Sequence, residues 1–340
     1  MRCIRGGAWH RLRSYRNRIW IKRKEVMARE SISIVIPCYN EGDHIEASLE
    51  EIRRHAGECA GISVEFILVD DGSTDGTWDA LNRFMGAHEG CRCLRLSRNF
   101  GKEAAICAGI EHAKGDGVIV MDGDLQHPPE LIPEMVRLWA KEGVDVVDAV
   151  KGDRGEEPAW YRLHARLFNL LMCKLSGLNL ADSSDFKLLD RRVVSAFLDL
   201  PERQTFYRGL VAWLGFRHAR VTMQVKPRMG GQSTWSLLRL YRLAVTGLTS
   251  FSTAAMQIVS LMGVVSLVAA VLLTIKSLWT WYRGEAVPGF ATVIILQLWI
   301  GSFTMIALGI IGEYLSTVYH ETKFRPRYIV SETTERGAQP

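Results

Sequence analysis

The chain has 340 residues, 48% of them apolar, and a formal net charge of +5. Because single hydrophobic cores stop growing at roughly 250 to 300 residues, this length fits one catalytic domain with appendages better than two equal domains. Residues 1–30 hold ten Arg or Lys against two Glu, so the rest of the chain is net acidic and no nucleic-acid partner is expected. This basic arm, 1–30, is either a disordered extension or a segment that rests on anionic lipid headgroups.

Short apolar runs alternate with helical patterns from Ser31 onward. The runs at 32–37, 66–69, 93–96 and 118–121 predict buried strands, and helical spacing follows the first three of them. Such alternation predicts an α/β catalytic domain over residues 31–232, with a mostly parallel sheet covered by helices on both faces. In this class of fold, ligands bind outside the carboxyl ends of the strands.

Two long uncharged runs follow, from 244 to 275 and from 286 to 312. Each exceeds the roughly 20 residues that cross a hydrocarbon core. The sequence therefore predicts transmembrane helices at 251–276 and 288–315. A juxtamembrane amphipathic helix is predicted at 233–250, where ordinary packing remains an alternative, and a C-terminal tail at 316–340.

Positive charges suggest how the chain is oriented in the membrane. Lys323, Arg325 and Arg327 follow the second run, whereas the short connection between the runs holds only Lys276 and Arg283. By the positive-inside tendency, we expect the catalytic domain and both termini on the cytoplasmic side of the inner (plasma) membrane, anchored by two spans.

Acidic residues stand where two of the predicted strands end. Asp122-Gly123-Asp124 follows the fourth strand, with Gln126 two residues later. Carboxylate and amide oxygens suit Mg²⁺ or Mn²⁺, which in turn bind phosphate oxygens. Asp and Gly are also ordinary turn formers, so it is the position after a strand that strengthens this metal-site prediction.

Two further strand ends carry candidate binding residues. Asp70-Asp71 follows the second strand, where a carboxylate can accept hydrogen bonds from a base or ribose; a helix cap at Ser73 or Asp75 is the alternative. Tyr39 follows the first strand and offers either an aromatic face for a base or a packing surface. The chain lacks the phosphate-binding G-x-x-x-x-G-K-[ST] loop and a G-x-G-x-x-G after the first strand, which argues against a P-loop ATPase and a dinucleotide-dependent oxidoreductase.

Five segments together resemble the family 2 inverting glycosyltransferases, and within them the polyprenyl-phosphate sugar transferases. They are Ile34-Val35-Ile36-Pro37-Cys38-Tyr39-Asn40-Glu41, Val69-Asp70-Asp71-Gly72-Ser73-Thr74-Asp75, Arg98-Asn99-Phe100-Gly101-Lys102, residues 121–130 and residues 185–191. The resemblance implies a GT-A fold, a nucleotide-diphosphate sugar as donor and a polyprenyl phosphate as acceptor. It also implies a homo-oligomer assembled through the C-terminal helices.

The resemblance assigns roles to individual residues. Implied nucleotide-sugar-binding residues are Pro37, Tyr39, Glu41 and Asp71 for the nucleoside, Asp122 and Gly123 for ribose and diphosphate, and Arg154 and Arg228 for phosphates. Implied metal ligands are Asp124, Gln126 and Asp122. Asp185 stands at the position of the family's candidate catalytic carboxylate, where it either removes a proton or orients a substrate; an ion pair with Arg191 or Lys187 is the structural alternative.

The expected reaction is inverting transfer of a hexose, glucose from UDP-glucose first, onto undecaprenyl phosphate at the cytoplasmic membrane face. The product would be a lipid-linked sugar for modification of a cell-envelope glycan. Mannose, galactose, N-acetylhexosamine and modified pentose donors remain alternatives, because they use the same nucleotide and metal machinery. A processive polysaccharide synthase and a non-catalytic nucleotide-sugar sensor are the other two hypotheses.

Overall fold

The structure is a computed structural model that describes residues 29–151, 183–203, 205–223, 254–284 and 289–335. Several predictions lie outside these described residues. They are the basic arm up to residue 28, the juxtamembrane helix at 233–250, and the phosphate-binding roles of Arg154 and Arg228.

Eight strands and eight α-helices make up the described part of the chain. The strands are β1 (Ser31–Cys38), β2 (Ser63–Asp70), β3 (Cys91–Leu96), β4 (Gly117–Val120), β5 (Val146–Lys151), β6 (Ser183–Asp190), β7 (His218–Met223) and β8 (Val330–Glu335). The helices are α1 (Ile45–Ala56), α2 (Thr77–Ala87), α3 (Lys102–His112), α4 (Ile132–Glu142), α5 (Arg191–Leu198), α6 (Tyr207–Trp213), α7 (Ala254–Tyr282) and α8 (Phe290–Thr322). A short 3₁₀ turn at Pro129–Leu131 precedes α4.

The strands form one sheet in the order β7-β5-β6-β4-β1-β2-β3-β8. Its centre is parallel, since β1 pairs in parallel with β2 and β4, and β2 pairs in parallel with β3. β6 and β8 are antiparallel to their neighbours β4 and β3. The predicted α/β class with a mostly parallel sheet is therefore confirmed.

Side chains of β1 alternate between two hydrophobic cores, as the pleat of a strand requires. Ile34 packs on one face with residues of α1, α2 and α4, whereas Val35 packs on the other face with residues of α3, α5 and α6. Burying both faces explains why the central strands read as continuous apolar runs rather than alternating ones.

The antiparallel strand β6 has a direct consequence for the site. Because β6 runs opposite to β4, its first residues lie beside the carboxyl end of β4, where Val120 pairs with Lys187. Asp185 therefore reaches the same edge of the sheet as Asp122, although 63 positions separate them in the sequence. This placement depends on strand direction, which the local sequence pattern does not specify.

Two helices, α7 and α8, are long and apolar enough to cross a membrane, with candidate spans at Leu261–Thr280 and Leu296–Thr322. Their apolar side chains are exposed; Leu267 and Leu298, for example, are each 65% accessible. The helices overlap the transmembrane segments predicted at 251–276 and 288–315, whose exact bounds stay predictions. The uncharged run ends before Glu313. A charged residue does not break a helix, however, so α8 continues beyond it.

The predicted C-terminal tail at 316–340 needs a correction. Its first residues complete α8, and residues 330–335 form β8 at the edge of the catalytic sheet. β8 reads Val-Ser-Glu-Thr-Thr-Glu, which is polar because an edge strand with a solvated face needs little apolar surface. A hydropathy pattern could therefore not reveal this strand.

Candidate active site

The loops that follow β1 and β2 are bound to each other by hydrogen bonds. Asn40 donates its backbone N–H to Ser73 Oγ at 3.0 Å, and its side-chain oxygen accepts from the Thr74 amide at 3.0 Å. Glu41 donates its amide to Thr77 Oγ1 at 2.8 Å. The predicted nucleoside-binding loops are thus one connected unit.

Pro37 and Tyr39 differ in how open they are to a ligand. Pro37 is buried within β1, so it shapes the backbone rather than offering a surface, whereas Tyr39 is 45% exposed beyond the strand end. This exposure favours the prediction of an aromatic face for a base over the packing alternative.

Asp71 is almost fully buried and accepts two backbone hydrogen bonds. Its carboxylate oxygens bind the amides of Phe100 and Gly101 at 2.7 and 2.9 Å. Burial raises the pKa of Asp71, and these two amides only partly offset the increase. Asp71 therefore fixes the loop after β3 against the loop after β2. The N-cap residue of α2 is Gly76, so neither Ser73 nor Asp75 is the cap; Asp75 Oδ1 accepts from the Thr77 amide at 3.0 Å just before the helix.

The turn after β4 packs closely on the loop after β1. A Cβ atom on Gly123 would lie 2.5 Å from Ile45 Cδ1 and 3.2 Å from a carboxylate oxygen of Glu41, so any larger residue here would have to displace the ends of these two side chains. Within the turn, the Gln126 amide donates to Asp124 Oδ1 at 3.0 Å. Leu125 adopts a left-handed conformation, with φ of 57°, which gives the turn its sharp reversal.

The donor set of this turn fits a divalent cation that also binds phosphate. Within the described ranges, no group of three or more His, Cys, Asp or Glu side chains is arranged to hold a metal. A site with two carboxylates and one amide matches Mg²⁺ and Mn²⁺, which keep positions for substrate phosphates and water. The turn also attracts a cation from the chain itself, because Lys102 Nζ lies 2.6 Å from Asp122 Oδ1.

Asp185 lies between two positive side chains. Lys102 Nζ is 2.7 Å from Asp185 Oδ2, and Arg208 donates Nε to Oδ1 at 2.6 Å and Nη2 to Oδ2 at 2.8 Å. Burial alone would raise the pKa of Asp185, but the Lys102 charge and the Arg208 hydrogen bonds outweigh it and hold that pKa far below its usual range. Asp185 is therefore ionised, and it is a weak proton acceptor.

The alternative prediction, that Asp185 forms an ion pair with Arg191 or Lys187, is wrong. Lys187 instead binds Asp148, and its Nζ donates to Ser183 Oγ at 2.9 Å. Arg191 donates Nε to the Gly115 carbonyl oxygen at 2.8 Å. Lys187 lies on the same face of β6 as Asp185, but it pairs across the sheet with Asp148 of β5. Arg191 begins α5, so proximity in sequence was a poor guide to the ion pair.

Three further residues lie in the site and were not among the site residues predicted from the sequence: Lys102, Arg208 and Glu103. Lys102 links two predicted functional carboxylates, Asp122 and Asp185. Glu103 accepts the Tyr207 amide at 2.8 Å, and burial, followed by the nearby Asp185 charge, raises its pKa to about 7. Lys102 lies in the family segment Arg98–Lys102, so the sequence could have indicated its role. Arg208 is one of many arginines in its region, and no motif distinguishes it from the others.

His127 contacts the turn after β4 and also packs on strand β6. The Asp122 amide lies 3.2 Å from His127 Nδ1, and the ring stacks on Phe186 with centroids 5.4 Å apart. Burial lowers the pKa of His127, so its ring is neutral at physiological pH and can accept the amide hydrogen. This contact fixes the backbone of Asp122, whose carboxylate binds Lys102.

Comparison with known proteins assigns the chain to a family. The model for glycosyl transferase family 2 matches residues 33–197. An uncharacterized glycosyltransferase of Synechocystis sp. is 39% identical over 303 residues, which cover 88% of this chain and 95% of that protein. A prophage bactoprenol glucosyl transferase homolog of Escherichia coli is 35% identical over 304 residues, covering 88% and 98%.

Solved structures also match. Glucosyl-3-phosphoglycerate synthase from Mycobacterium tuberculosis, in complex with Mn²⁺, uridine diphosphate and glucosyl-3-phosphoglycerate, is 26% identical with a TM-score of 0.42, covering 66% of this chain and 80% of that chain. The similarity to full-length relatives extends beyond the family model into the C-terminal helices. The resemblance seen in the sequence motifs is thus confirmed, and the chain is a glycosyltransferase that belongs to glycosyl transferase family 2.

Proposed function

We propose that this enzyme transfers a hexose, glucose from UDP-glucose first, onto undecaprenyl or a similar polyprenyl phosphate with inversion at the anomeric carbon. The observation that carries the proposal is the Lys102 ammonium group, which lies 2.6 Å from Asp122 and 2.7 Å from Asp185. It joins the turn suited to a metal and diphosphate to the carboxylate suited to the reacting sugar or acceptor. The apolar helices α7 and α8 favour an acceptor that resides in a membrane.

The chain's own residues have separate roles in this reaction. Tyr39, Glu41 and the loop fixed by Asp71 hold the nucleoside, while Asp122 and Gly123 lie against the ribose and diphosphate. When bound at Asp124, Gln126 and Asp122, Mg²⁺ or Mn²⁺ supplies charge stabilisation for the departing diphosphate. Lys102 and Arg208 add positive charge beside it.

Asp185 acts by orientation rather than by removing a proton. A phosphate monoester loses its second proton with a pKa of about 6, so it is already an ionised nucleophile at neutral pH. The lowered pKa of Asp185 makes this carboxylate a poor base for any proton. We therefore assign it to holding Arg208 and Lys102, and through them the acceptor phosphate and the sugar, in the geometry for attack.

The glucose assignment draws on the relatives whose names include bactoprenol glucosyl transferase. Other nucleotide sugars differ only in the ring contacts, so a donor screen decides among them. Purified full-length enzyme in vesicles with undecaprenyl phosphate should convert radiolabelled UDP-glucose into a lipid-extractable product bearing one sugar. A polymeric product would favour the processive synthase, and no product with any nucleotide sugar would favour the sensor.

The metal assignment has a direct test. Asp124→Asn should abolish Mg²⁺- or Mn²⁺-dependent transfer, because it removes one of two carboxylates from the turn. Asp79→Asn is the matched control, since Asp79 is an exposed aspartate on helix α2, outside the loops assigned to the site. Metal binding is measured separately by Mn²⁺ electron paramagnetic resonance with uridine diphosphate present. Full activity and unchanged Mn²⁺ binding in the Asp124 variant would reject the metal role.

The proposed topology places the catalytic domain and both termini in the cytoplasm. Residues that follow α8 return to the catalytic sheet as β8, so the C-terminal segment and the catalytic domain share one side of the membrane. Protease added to sealed inverted inner-membrane vesicles should therefore remove the catalytic domain, whereas right-side-out vesicles should protect it. The reverse pattern would overturn this orientation.

A further inference from the structure

The chain returns to the catalytic domain after the second apolar helix. Strand β8 pairs with β3, from Glu335 opposite Arg92 to Val330 opposite Leu96. Two ion pairs reinforce this ladder: Arg92 binds Glu335, and Arg95 Nη1 lies 3.3 Å from Glu332 Oε1. Residues 321–335, named here the C-terminal clasp, thus fasten the end of α8 to the edge of the catalytic sheet.

The clasp makes a second attachment, to residues 200–203. Both carboxylate oxygens of Glu321, in the last turn of α8, accept the Arg203 backbone amide at 2.8 and 3.1 Å. The Arg203 guanidinium in turn donates to the Arg325 carbonyl oxygen and lies 5.2 Å from the centre of the Phe324 ring. Arg203 is therefore held by contacts with both its backbone and its side chain.

Arg327 completes this attachment from the other side. Its Nη2 donates to the Leu200 carbonyl oxygen at 2.8 Å and also to the Glu202 carbonyl oxygen. A guanidinium that binds two backbone carbonyls fixes the path of the main chain rather than one side chain. Segment 200–203 is thereby attached to the membrane-proximal end of α8.

Segment 200–203 precedes the helix that carries an active-site arginine. Helix α6 begins at Tyr207, and Arg208 in its first turn binds both carboxylate oxygens of Asp185, at 2.6 and 2.8 Å. The Tyr207 amide is held by Glu103 of α3, next to Lys102. The segment that the clasp contacts, 200–203, and Arg208 of the Asp185 cluster are thus close together in the sequence.

We propose that the C-terminal clasp, through Arg203 and Arg327, is a positioning element that holds the Asp185–Arg208 cluster in register with the membrane. The inference rests on the proposed function, since only an acceptor phosphate confined to the headgroup layer requires the active site at one height and orientation. A small misplacement of reacting groups costs up to about a hundredfold in rate. A freely diffusing acceptor would not need the attachment.

Two single variants and a matched control test this role in the full-length enzyme. Arg203→Ala removes the guanidinium contacts with the Arg325 carbonyl oxygen and the Phe324 ring but keeps the backbone bond to Glu321. Arg327→Ala removes both bonds to the backbone carbonyls of residues 200 and 202. Arg325→Ala removes an exposed positive charge from the same segment but keeps the carbonyl oxygen that accepts from Arg203. Each protein is assayed with a long-chain polyprenyl phosphate in vesicles and with a short-chain, water-soluble prenyl phosphate.

Both test variants should lose about tenfold or more in transfer to the long-chain acceptor, while transfer to the short-chain acceptor stays within about twofold. The Kd for uridine diphosphate, measured by calorimetry with Mn²⁺ present, should stay unchanged in all three variants. The control should match the unsubstituted enzyme with both acceptors. Equal loss with both acceptors, or no loss with either, would overturn the positioning role.

A measurement without substrate separates this inference from the proposed function. A dye is attached at Glu89→Cys, an exposed position in the turn after α2, once Cys3 and Cys173 have been replaced by Ser. The five cysteines of the described residues are buried. Energy transfer from the dye to headgroup-labelled lipids should change in the two test variants and not in the control. Identical energy transfer in all variants would overturn the inference, whereas a failure of the unsubstituted enzyme to use either acceptor would reject only the proposed function.

Discussion

Asp185 is the residue whose charge state matters most for the proposed chemistry. Two cations hold it, and its pKa lies far below the ordinary value despite burial that acts in the opposite direction. An ionised carboxylate with two bound cations cannot also serve as an efficient base near neutral pH, since a base works best when its pKa is near the operating pH. In the proposed mechanism, the charge on Asp185 therefore positions Lys102 and Arg208.

Asp185→Asn should lower transfer by about a hundredfold or more, because Lys102 and Arg208 lose their shared counter-charge. It should also destabilise the fold by about 1 to 3 kcal/mol, less than a fully buried pair because both cations are partly solvated. The lowered pKa means that this stabilisation is present above the ordinary Asp value of 3.8 and is lost as pH falls further. Transfer assays and thermal melts at several pH values measure both effects.

Asp148→Asn is the control for that experiment. Asp148 is buried, and its Oδ2 lies 2.6 Å from His218 Nδ1 while its Oδ1 binds Lys187, so its loss should also destabilise the fold. It does not contact the Asp185 cluster directly, and transfer by the folded fraction should persist. Equal loss of transfer in the two variants would show that stability alone accounts for the Asp185 effect.

Glu103 predicts a pH dependence of stability. Burial and the Asp185 charge raise its pKa from 4.5 to about 7, so its protonated form is favoured in the folded enzyme. A raised pKa gives stability that is full below the unfolded value and is lost as pH rises through about 7. Glu103→Gln should therefore match the unsubstituted enzyme in Tm at about pH 4.5 and exceed it at about pH 8. A constant difference in Tm over this range would contradict the assignment.

At the scale of elements, the site is made by loops that support one another at the carboxyl end of the sheet. Gly72 is where the loop after β2 meets the loop after β3: its φ is +67°, and a Cβ there would lie 2.4 Å from the Arg98 carbonyl carbon. Asp71, the residue before it, holds the second loop through the amides of Phe100 and Gly101. The proposed nucleoside half of the site therefore depends on one close backbone contact.

Gly72→Ala should weaken uridine diphosphate binding by about tenfold or more, because a Cβ forces the two loops apart and strains the left-handed backbone. Gly76→Ala is the matched control, since a Cβ at Gly76 meets nothing within 4 Å and its φ is −74°. Calorimetry with Mn²⁺ present measures both. Comparable affinities in the two variants would show that the contact at Gly72 does not shape the nucleoside site.

At the scale of the whole molecule, the chain returns to the catalytic sheet as β8 after the two apolar helices. The helices carry exposed leucines, valines and isoleucines along their length. Such a surface is unfavourable in water and is stable in the hydrocarbon core of a membrane. Strand β8 covers the edge of β3, which would otherwise present unpaired backbone groups to solvent.

Val268→Arg should reduce membrane retention. Val268 is 54% exposed within α7, and an arginine near the centre of a spanning helix costs about 2.5 to 3.5 kcal/mol in insertion. The fraction of the enzyme that resists alkaline extraction from membranes should fall, and transfer to a polyprenyl phosphate should fall with it. Val268→Leu should leave both unchanged; full retention of the arginine variant would argue that α7 does not cross the bilayer.

The sequence by itself determined the α/β class, the acidic residues at the ends of β2 and β4, and the two apolar helices. These features depend on local periodicity and on runs of apolar residues, which a single stretch of chain carries. The segments that revealed the family were likewise contiguous, and they included Asp185 without showing what it contacts. Parallel neighbours bring their carboxyl ends to one edge, so the proposed metal-binding turn and the proposed nucleoside-binding loops could be placed together in advance.

Only the tertiary structure decided that Asp185 binds Lys102 and Arg208. Lys102 and Arg208 lie 83 and 23 positions from it in sequence, and their meeting depends on the antiparallel direction of β6 and the packing of α6. The clasp is a second example, because β8 is polar and its stability comes from pairing with β3 and not from its own pattern. Long-range pairing follows from the global arrangement of strands, whereas local propensity reports only on neighbours along the chain.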